Sequence, residues 1–472
     1  MSGHMRTIVI VGAGFSGTLT AVNLLRRAAR AVAEGSPPVH RPLRLVLVER
    51  TGRFGAGVAY GTNHYEHLLN VPTARMSAFP DEPDDFLNWA RRRQPGIEGY
   101  SFLPRRTYRE YIEQLLAGAR RACPQIDVVL LKDEVRSVRP DEGESSARVE
   151  FADSPPMNAD RVVLAPGNYA PLDVRAAGDA IYETDYYIRD PWDDARCRRI
   201  DPARPVLIIG TGLTAVDIVL RLAASGHTGT IHAVSRHGLM PQAHRRTPVA
   251  PMPSAIEELP AAPRSLLRAV RRRVREVEQC GGDWRAVVDG LRGPTAAVWQ
   301  RFTLDQRRQF FRHLRHFWEI HRHRIAPDVA AVFNDLVQSG RVQVHAARIA
   351  AYRLKPDGVA VEIHPRAGHE RSPITLDVHR VINCTGPNAD FTRVVDPLIR
   401  QLLADGWIRP DPLRIGLDST PRGALINRDG APSTILFTVG PPRKPLTWES
   451  TAVPELRHQA ADLANVLFDL FQ

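Results

Sequence analysis

Two glycine-rich turns, far apart in the chain, each lie where a run of β-branched residues passes into a helix. The first is Ile8-Val9-Ile10-Val11-Gly12-Ala13-Gly14-Phe15-Ser16-Gly17 and the second Val206-Leu207-Ile208-Ile209-Gly210-Thr211-Gly212-Leu213-Thr214-Ala215. Glycine lets the backbone turn tightly and approach a pyrophosphate, whose charge then rests on the helix N-terminus. A single turn of this kind is also compatible with a ligand-free strand–helix junction. Two in one chain, both in strand–turn–helix context, point to two bound dinucleotides, and a protein holding two passes electrons between them.

The strands after the two turns end differently, and this separates the two nucleotides. After the first comes the strand Leu43 to Val48, ending in Glu49-Arg50, where an acid accepts ribose hydroxyls. The interval from Gly17 exceeds the usual spacing of about 20 residues because a Gly/Ser/Pro loop fills 34–42. After the second comes Thr230 to Val234 and then Ser235-Arg236-His237, with Arg245 and Arg246 nearby. Arginine there grips a 2′-phosphate by charge-assisted, often bidentate bonds. The alternative reading of Arg236 is one more surface arginine in an arginine-rich chain. The contrast between Glu49 and Arg236 assigns FAD to the first unit and NADP(H) to the second, with Gly210, Gly212, Thr214, Ser235, Arg236 and Arg245 holding the latter.

Composition sets the limits. The 472 residues suffice for two to three domains, and 43% hydrophobic with 24% charged residues is ordinary globular composition. The net charge of +11 raises the possibility of nucleic acid, but all basic side chains except Lys132, Lys355 and Lys444 are arginine. That bias matches a GC-rich bacterial coding sequence, so the basicity reads as solvated surface plus anionic cofactor sites, with no nucleic-acid partner. Cys123, Cys197, Cys280 and Cys384 are scattered, which excludes a disulfide scaffold, a zinc site and a close dithiol. The strand at residue 7 leaves no room for a signal peptide, and no apolar run reaches the roughly 18 residues of a membrane span. A cytoplasmic protein is expected.

Along the chain, residues 1–170 read as the first part of an FAD-binding domain, 171–204 as a Pro/Asp-rich linker, and 205–259 as the NADP-binding domain. Arg-rich amphipathic helices over 260–330 read as an insertion, and 340–472 as the second part of the FAD domain. The fold class is α/β, with two Rossmann-like dinucleotide-binding domains and a helical insertion. Pro166-Gly167 and Thr385-Gly386 end strands where the chain would cross between domains; a packing glycine explains each equally well. Val439-Gly440 ends the last strand before a closing helix over 454–471.

The opening Gly12 to Gly17 resembles the FAD-binding start of two-dinucleotide flavoproteins, and Val135 matches the position where these hold the adenine through backbone contacts. The stretch Leu69-Asn70-Val71-Pro72-Thr73-Ala74-Arg75-Met76-Ser77-Ala78-Phe79-Pro80-Asp81-Glu82-Pro83 resembles the flavin-containing monooxygenases and their N-hydroxylating relatives. The resemblance implies that Asn70 bonds an oxygen adduct at flavin C4a and that Met76 lies beside the cofactor. A Pro-kinked loop before an N-capped helix is the plainer reading of residues 70–83. Nearly the whole chain is similar to a bacterial group of FAD/NAD(P)-binding oxidoreductases, through Gly57-Val58-Ala59-Tyr60-Gly61-Thr62, His321 to Pro327 and Trp448 to Arg457. In related flavoproteins the final helix points its N-terminus at the isoalloxazine, and its positive end stabilises reduced flavin.

Arg312, His313, Arg315, His316, His321, Arg322, His323 and Arg324 form a dense basic cluster. It reads as a solvated helix face with Phe311, Phe317 and Trp318 buried beneath it, or as an anion site for a substrate carboxylate or cofactor phosphate. A metal site lacks suitably spaced carboxylate or cysteine ligands. Baeyer–Villiger enzymes resemble one another at a Phe-x-Gly-x-x-x-His-x-x-x-Trp stretch, of which the segment before the second turn keeps only Trp192. The expected function is an FAD-dependent, NADPH-consuming monooxygenase that uses O2 through a C4a adduct on a small nucleophilic substrate, such as an amine or amino acid. The alternatives are an FAD-dependent NAD(P)H oxidoreductase without oxygen insertion, and a redox sensor holding FAD structurally.

Overall fold

The computed structural model describes residues 5–35, 42–141, 143–255, 258–366 and 372–471. Most of the loop expected over 34–42 lies outside these residues. Two sheets organise the chain. The first runs in the order β15 (Ala424–Ile426), β16 (Pro432–Thr438), β7 (Arg161–Leu164), β1 (Arg6–Val11), β2 (Leu43–Val48) and β3 (Asp127–Leu131). All its pairings are parallel except β15–β16. Parallel strands are covered on both faces and so read as continuous apolar runs; Ile8, Val9 and Ile10 are fully buried. Helices Phe15–Ala33, Arg105–Ala122 and Val453–Asp469 cover one face. On the other lie helix Pro397–Asp405 and a small antiparallel sheet of β4 (Val135–Pro140), β5 (Ala147–Phe151) and β6 (Met157–Ala159).

The second sheet has the order β13 (Ile374–Val378), β12 (Gly358–Pro365), β11 (Val342–Lys355), β10 (Ile231–Ser235), β9 (Val206–Ile209), β14 (Arg380–Asn383) and β8 (Tyr187–Ile188). This corrects the expected partition in two places. Residues 342–383, expected with the FAD domain, complete the second sheet, because β11 pairs in parallel with β10 through Ser235↔Ala346 and then turns antiparallel against β12. The segment 171–204, expected as linker, supplies edge strand β8, which pairs with β14. The chain returns to the first sheet only after Gly386. Both crossings, at Gly167 and Gly386, lie side by side, with Asn388 N donating to the Tyr169 carbonyl at 3.1 Å.

The helical insertion occupies the crossover from β10 to β11. Among the described residues, five helices from Pro263–Gln279 to Arg315–Arg322 form it, around an aromatic core of Trp299, Phe302 and Phe310. The next helix, Pro327–Gln338, packs Ala330, Phe333 and Leu336 against the second sheet and is the true crossover helix.

Buried polar contacts join the two domains. Arg105 Nη2 donates to Asp217 Oδ2 at 2.7 Å, with the two side chains 15% and 10% exposed. His67, fully buried, lies 3.1 Å through Nε2 from the Asp217 carbonyl and 2.8 Å through Nδ1 from Thr62 Oγ1. A carbonyl only accepts, so Nε2 carries the proton and Nδ1 accepts from the hydroxyl. Burial, then the charges of Arg105 and His64, push the His67 imidazole down to about 3.

Asp217→Ala would leave a buried guanidinium unpaired and is expected to lower stability by about 3 kcal/mol, measured by denaturant unfolding. His67 is neutral when folded but titrates at its ordinary value when unfolded, so the unfolded chain binds the proton first. Stability therefore falls as pH drops below about 6.5, and His67→Gln should lessen that slope by its share, the buried His244 and His232 contributing in the same sense.

Candidate functional site

The first glycine turn rests against the end of a neighbouring strand. Gly12 has φ +94°, and a Cβ there would overlap the carbonyl of Ala165, just past β7. Gly17 tucks beneath the turn, where a Cβ would overlap the Gly12 carbonyl. The N-terminus of helix Phe15–Ala33 thereby opens at the C-terminal ends of β1 and β7. In front of it lies a cleft of about 400 Å³ lined by Gly12, Gly14, Phe15, Ser16, Glu49, Arg50, Val135 and Gly167. Eight of the residues expected to hold FAD thus share one cavity. Glu49, at the end of β2, accepts from Thr51 N at 3.1 Å and Oγ1 at 2.9 Å through the same oxygen, Oε1.

Segment 56–62, which includes the short helix Gly57–Tyr60, forms another wall, held by Gly55 N donating to the Ala13 carbonyl at 2.8 Å and by the close approach of Gly57 to Gly14. Gly57 to Thr62 are a point of resemblance in the sequence, and Gly57 is the glycine there at which the backbone of the first turn passes close by. The second domain closes the cleft with Trp192, Asp194 and Arg221, facing His64 and His67. Trp192 meets the His67 ring edge-on at 5.7 Å. Pro441, Thr451 and Leu456 also line it, bringing the N-terminus of helix Val453–Asp469 to the cavity. Gly440 lies behind this wall: a Cβ would stand 2.8 Å from Ser16 Oγ, and its carbonyl accepts from Ser450 Oγ at 2.5 Å.

Besides Gly17 beneath the turn and Gly440 behind the wall, Met76 and Asn70 are also absent from the cleft lining. Met76 is 2% exposed and packs in the core of the first domain. Asn70 presents its carbonyl to His244 Nε2 at 3.1 Å, while its side-chain amide makes no hydrogen bond among the described residues. The loop carrying both is fastened to the 101–105 segment, as by Leu69 N to the Leu103 carbonyl at 2.8 Å, and this tethering sets their direction.

The second turn repeats the first. Gly210 has φ +111°, and a Cβ would strike the carbonyl of Cys384, just past β14. A Cβ on Gly212 would meet only open space, so protein packing does not require glycine there. Thr214 is half-buried in the first turn of helix Leu213–Ala224. Ser235 braces the loop: its Oγ accepts from Gly238 N at 3.0 Å and lies 2.9 Å from Thr211 Oγ1. Arg236 is exposed beyond β10. Arg245, with an exposed side chain, pairs through Nη1 with Asp283 at 2.9 Å inside the insertion.

The basic cluster divides by contact. Arg312 and His313 are exposed. Phe317, expected buried, is 40% exposed, whereas Trp318 and Phe311 pack into the insertion core. Arg322 and Arg292 both bond Glu455, at 3.1 and 2.6 Å. Glu449 accepts from Trp318 Nε1 at 2.8 Å and faces His323 at 3.6 Å. Burial opposes its charge, but His323, Arg322 and the indole bond together hold the Glu449 carboxyl below its usual range. The insertion therefore grips the segment that delivers helix Val453–Asp469 to the cleft.

Gly12→Ala combines a strained φ with a carbonyl overlap and should abolish flavin retention, read from the flavin-to-protein absorbance ratio. Gly226→Ala, at φ +81° with nothing near its Cβ, is the control: it should cost about 1 kcal/mol and keep the flavin.

Residues 9–169 match the family model described as FAD-NAD(P)-binding, which marks this span as an FAD–NAD(P)-binding domain. No curated protein matches the chain in sequence. Among solved structures, an ornithine hydroxylase from Pseudomonas aeruginosa is similar over 99% of this chain and 100% of its own, with a TM-score of 0.62 and 15% identity. The ornithine N-hydroxylase of Kutzneria sp. 744, in a complex designated FADred-NADP+-L-orn, is similar over the same 99% and 100%, at 0.62 and 16%. Bacillithiol disulfide reductase from Staphylococcus aureus is similar over 99% and 100%, at 0.58 and 11%. The chain thus has the two-domain α/β fold of flavin-dependent oxidoreductases.

Proposed function

We propose that this protein is an FAD-dependent, NADPH-consuming monooxygenase acting on a small nucleophilic substrate with O2, N-hydroxylation of an amine or amino acid being the favoured reaction. The observation that carries this reading is the composition of the cleft. Its walls come from both nucleotide units, and no cysteine lines it. Cys197 and Cys384 are buried in the second-domain core, where burial pushes both thiols up and keeps them protonated. Dithiol exchange, which needs a thiolate beside the flavin, has no residue to perform it.

Bound FAD would supply hydride acceptance and activation of oxygen. The chain's own part is to hold and shield. The two glycine turns would seat the pyrophosphates, and Glu49 the first ribose. The positive end of helix Val453–Asp469 would stabilise charge on reduced flavin. Trp192 and the neutral His67 close the cleft at the domain boundary, which favours exclusion of water from reactive oxygen species. NADPH preference rests on Arg236, which among the described residues makes no hydrogen bond or ion pair. The second reading, an oxidoreductase without oxygen insertion, is favoured by the position of Asn70 outside the cleft lining.

Mixing NADPH-reduced protein with aerated buffer in a stopped-flow instrument separates the two. A transient spectrum distinct from oxidised and reduced flavin supports oxygenation; direct return to the oxidised spectrum, with one hydrogen peroxide per NADPH, supports the second reading. Arg236→Ala should raise the KM for NADPH about tenfold, as expected for loss of one charge-assisted phosphate contact, and leave that for NADH unchanged.

A further inference from the structure

Beyond the C-terminal end of β10, the imidazoles of His237 and His316 stack face to face, centroids 3.9 Å apart and planes 10° apart. His237 follows the nucleotide-unit strand, whereas His316 comes from helix Arg315–Arg322 of the insertion. Three arginines gather there. Arg236 ends the β10 run, Arg348 lies in β11 two residues past the partner of Ser235, and Arg366 follows β12. Arg366 Nη1 donates to His237 Nδ1 at 2.5 Å, and its backbone N–H holds the Ala346 carbonyl at 2.9 Å. None of these arginines makes an ion pair among the described residues.

Among the described residues, such a group lacks a free anion: the carboxylate facing it there is Glu319, on the same helix as His316, and that side chain is already bonded to Arg315 at 2.7 Å. Burial, Arg366, Arg236 and Arg348 hold His237 below its ordinary value; burial, His237, Arg366 and Arg236 do the same to His316, with Glu319 opposing. A phosphate monoester, with about two negative charges at neutral pH, matches three guanidinium groups and reverses the field on the rings.

We propose that Arg236, Arg348 and Arg366 bind the phosphate monoester on the ribose of the second nucleotide, and that the stacked His237–His316 pair takes up a proton from solvent as it binds. This rests on the assignment of a phosphorylated dinucleotide to the second unit, and it brings the insertion into the nucleotide site through His316. Affinity for the phosphorylated ligand then depends on pH in a defined sense. The bound state holds more protons than the free state, so binding strengthens as pH falls towards the range in which the free pair titrates, and weakens as pH rises.

Calorimetric titration of the flavin-loaded protein with adenosine 2′,5′-bisphosphate, and with adenosine 5′-diphosphate as control, tests this without any turnover. Buffers of different ionisation enthalpy report the protons taken up. The expected result is tighter binding of the 2′,5′-bisphosphate by about tenfold or more, with net proton uptake confined to that ligand. His316→Phe keeps a stacked ring that cannot titrate. It should abolish the uptake and flatten the pH dependence. Equal affinity for the two ligands, or undiminished proton uptake in His316→Phe, overturns the proposal. Neither outcome bears on whether reduced flavin oxygenates a substrate, which the stopped-flow measurement decides separately.

Discussion

The molecule turns on a contact made twice: a glycine with positive φ pressed against the carbonyl that ends the adjacent parallel strand. Gly12 does this to Ala165 and Gly210 to Cys384. Any Cβ at either place would force the strand and the following helix apart, and the helix N-terminus would no longer open over the strand ends. The cleft in front of the first turn, and the open space above Gly212, both depend on that close approach.

Much of this was legible in the sequence because it is local. A glycine turn between an apolar run and a helix carries its own geometry, and Glu49 and Arg236 occupy places fixed by short spacings from their strands. Sheet membership was less accessible. The pattern of β11 states that it is a strand, but not that its first residues pair with β10 and its later ones with β12. Its place in the second sheet is decided by hydrogen bonds to β10, over a hundred residues away. The same holds for β8, two residues long and invisible to periodicity.

Side-chain direction was the least legible property. Asn70 and Met76 were assigned by likeness of a motif, yet their loop is tethered to residues 101–105 and neither is in the cleft lining. Arg245 sits close to Arg236 in sequence, yet Asp283 claims it. The run from Arg312 to Arg324 looked like one patch. Its members in fact serve separate contacts, because a helix distributes neighbours around its axis and the insertion packs on several sides. The walls from segment 56–62 and from Trp192, Asp194 and Arg221 come from chain segments with no shared spacing, so only the fold unites them.

The insertion leaves from β10 and returns at β11, so both its ends are rooted in the second domain, yet its arginines hold Glu455 on the first. It behaves as a brace across the joint between the halves. Together with Arg105–Asp217, it means that a swivel of one half on the other has to break several ion pairs at once.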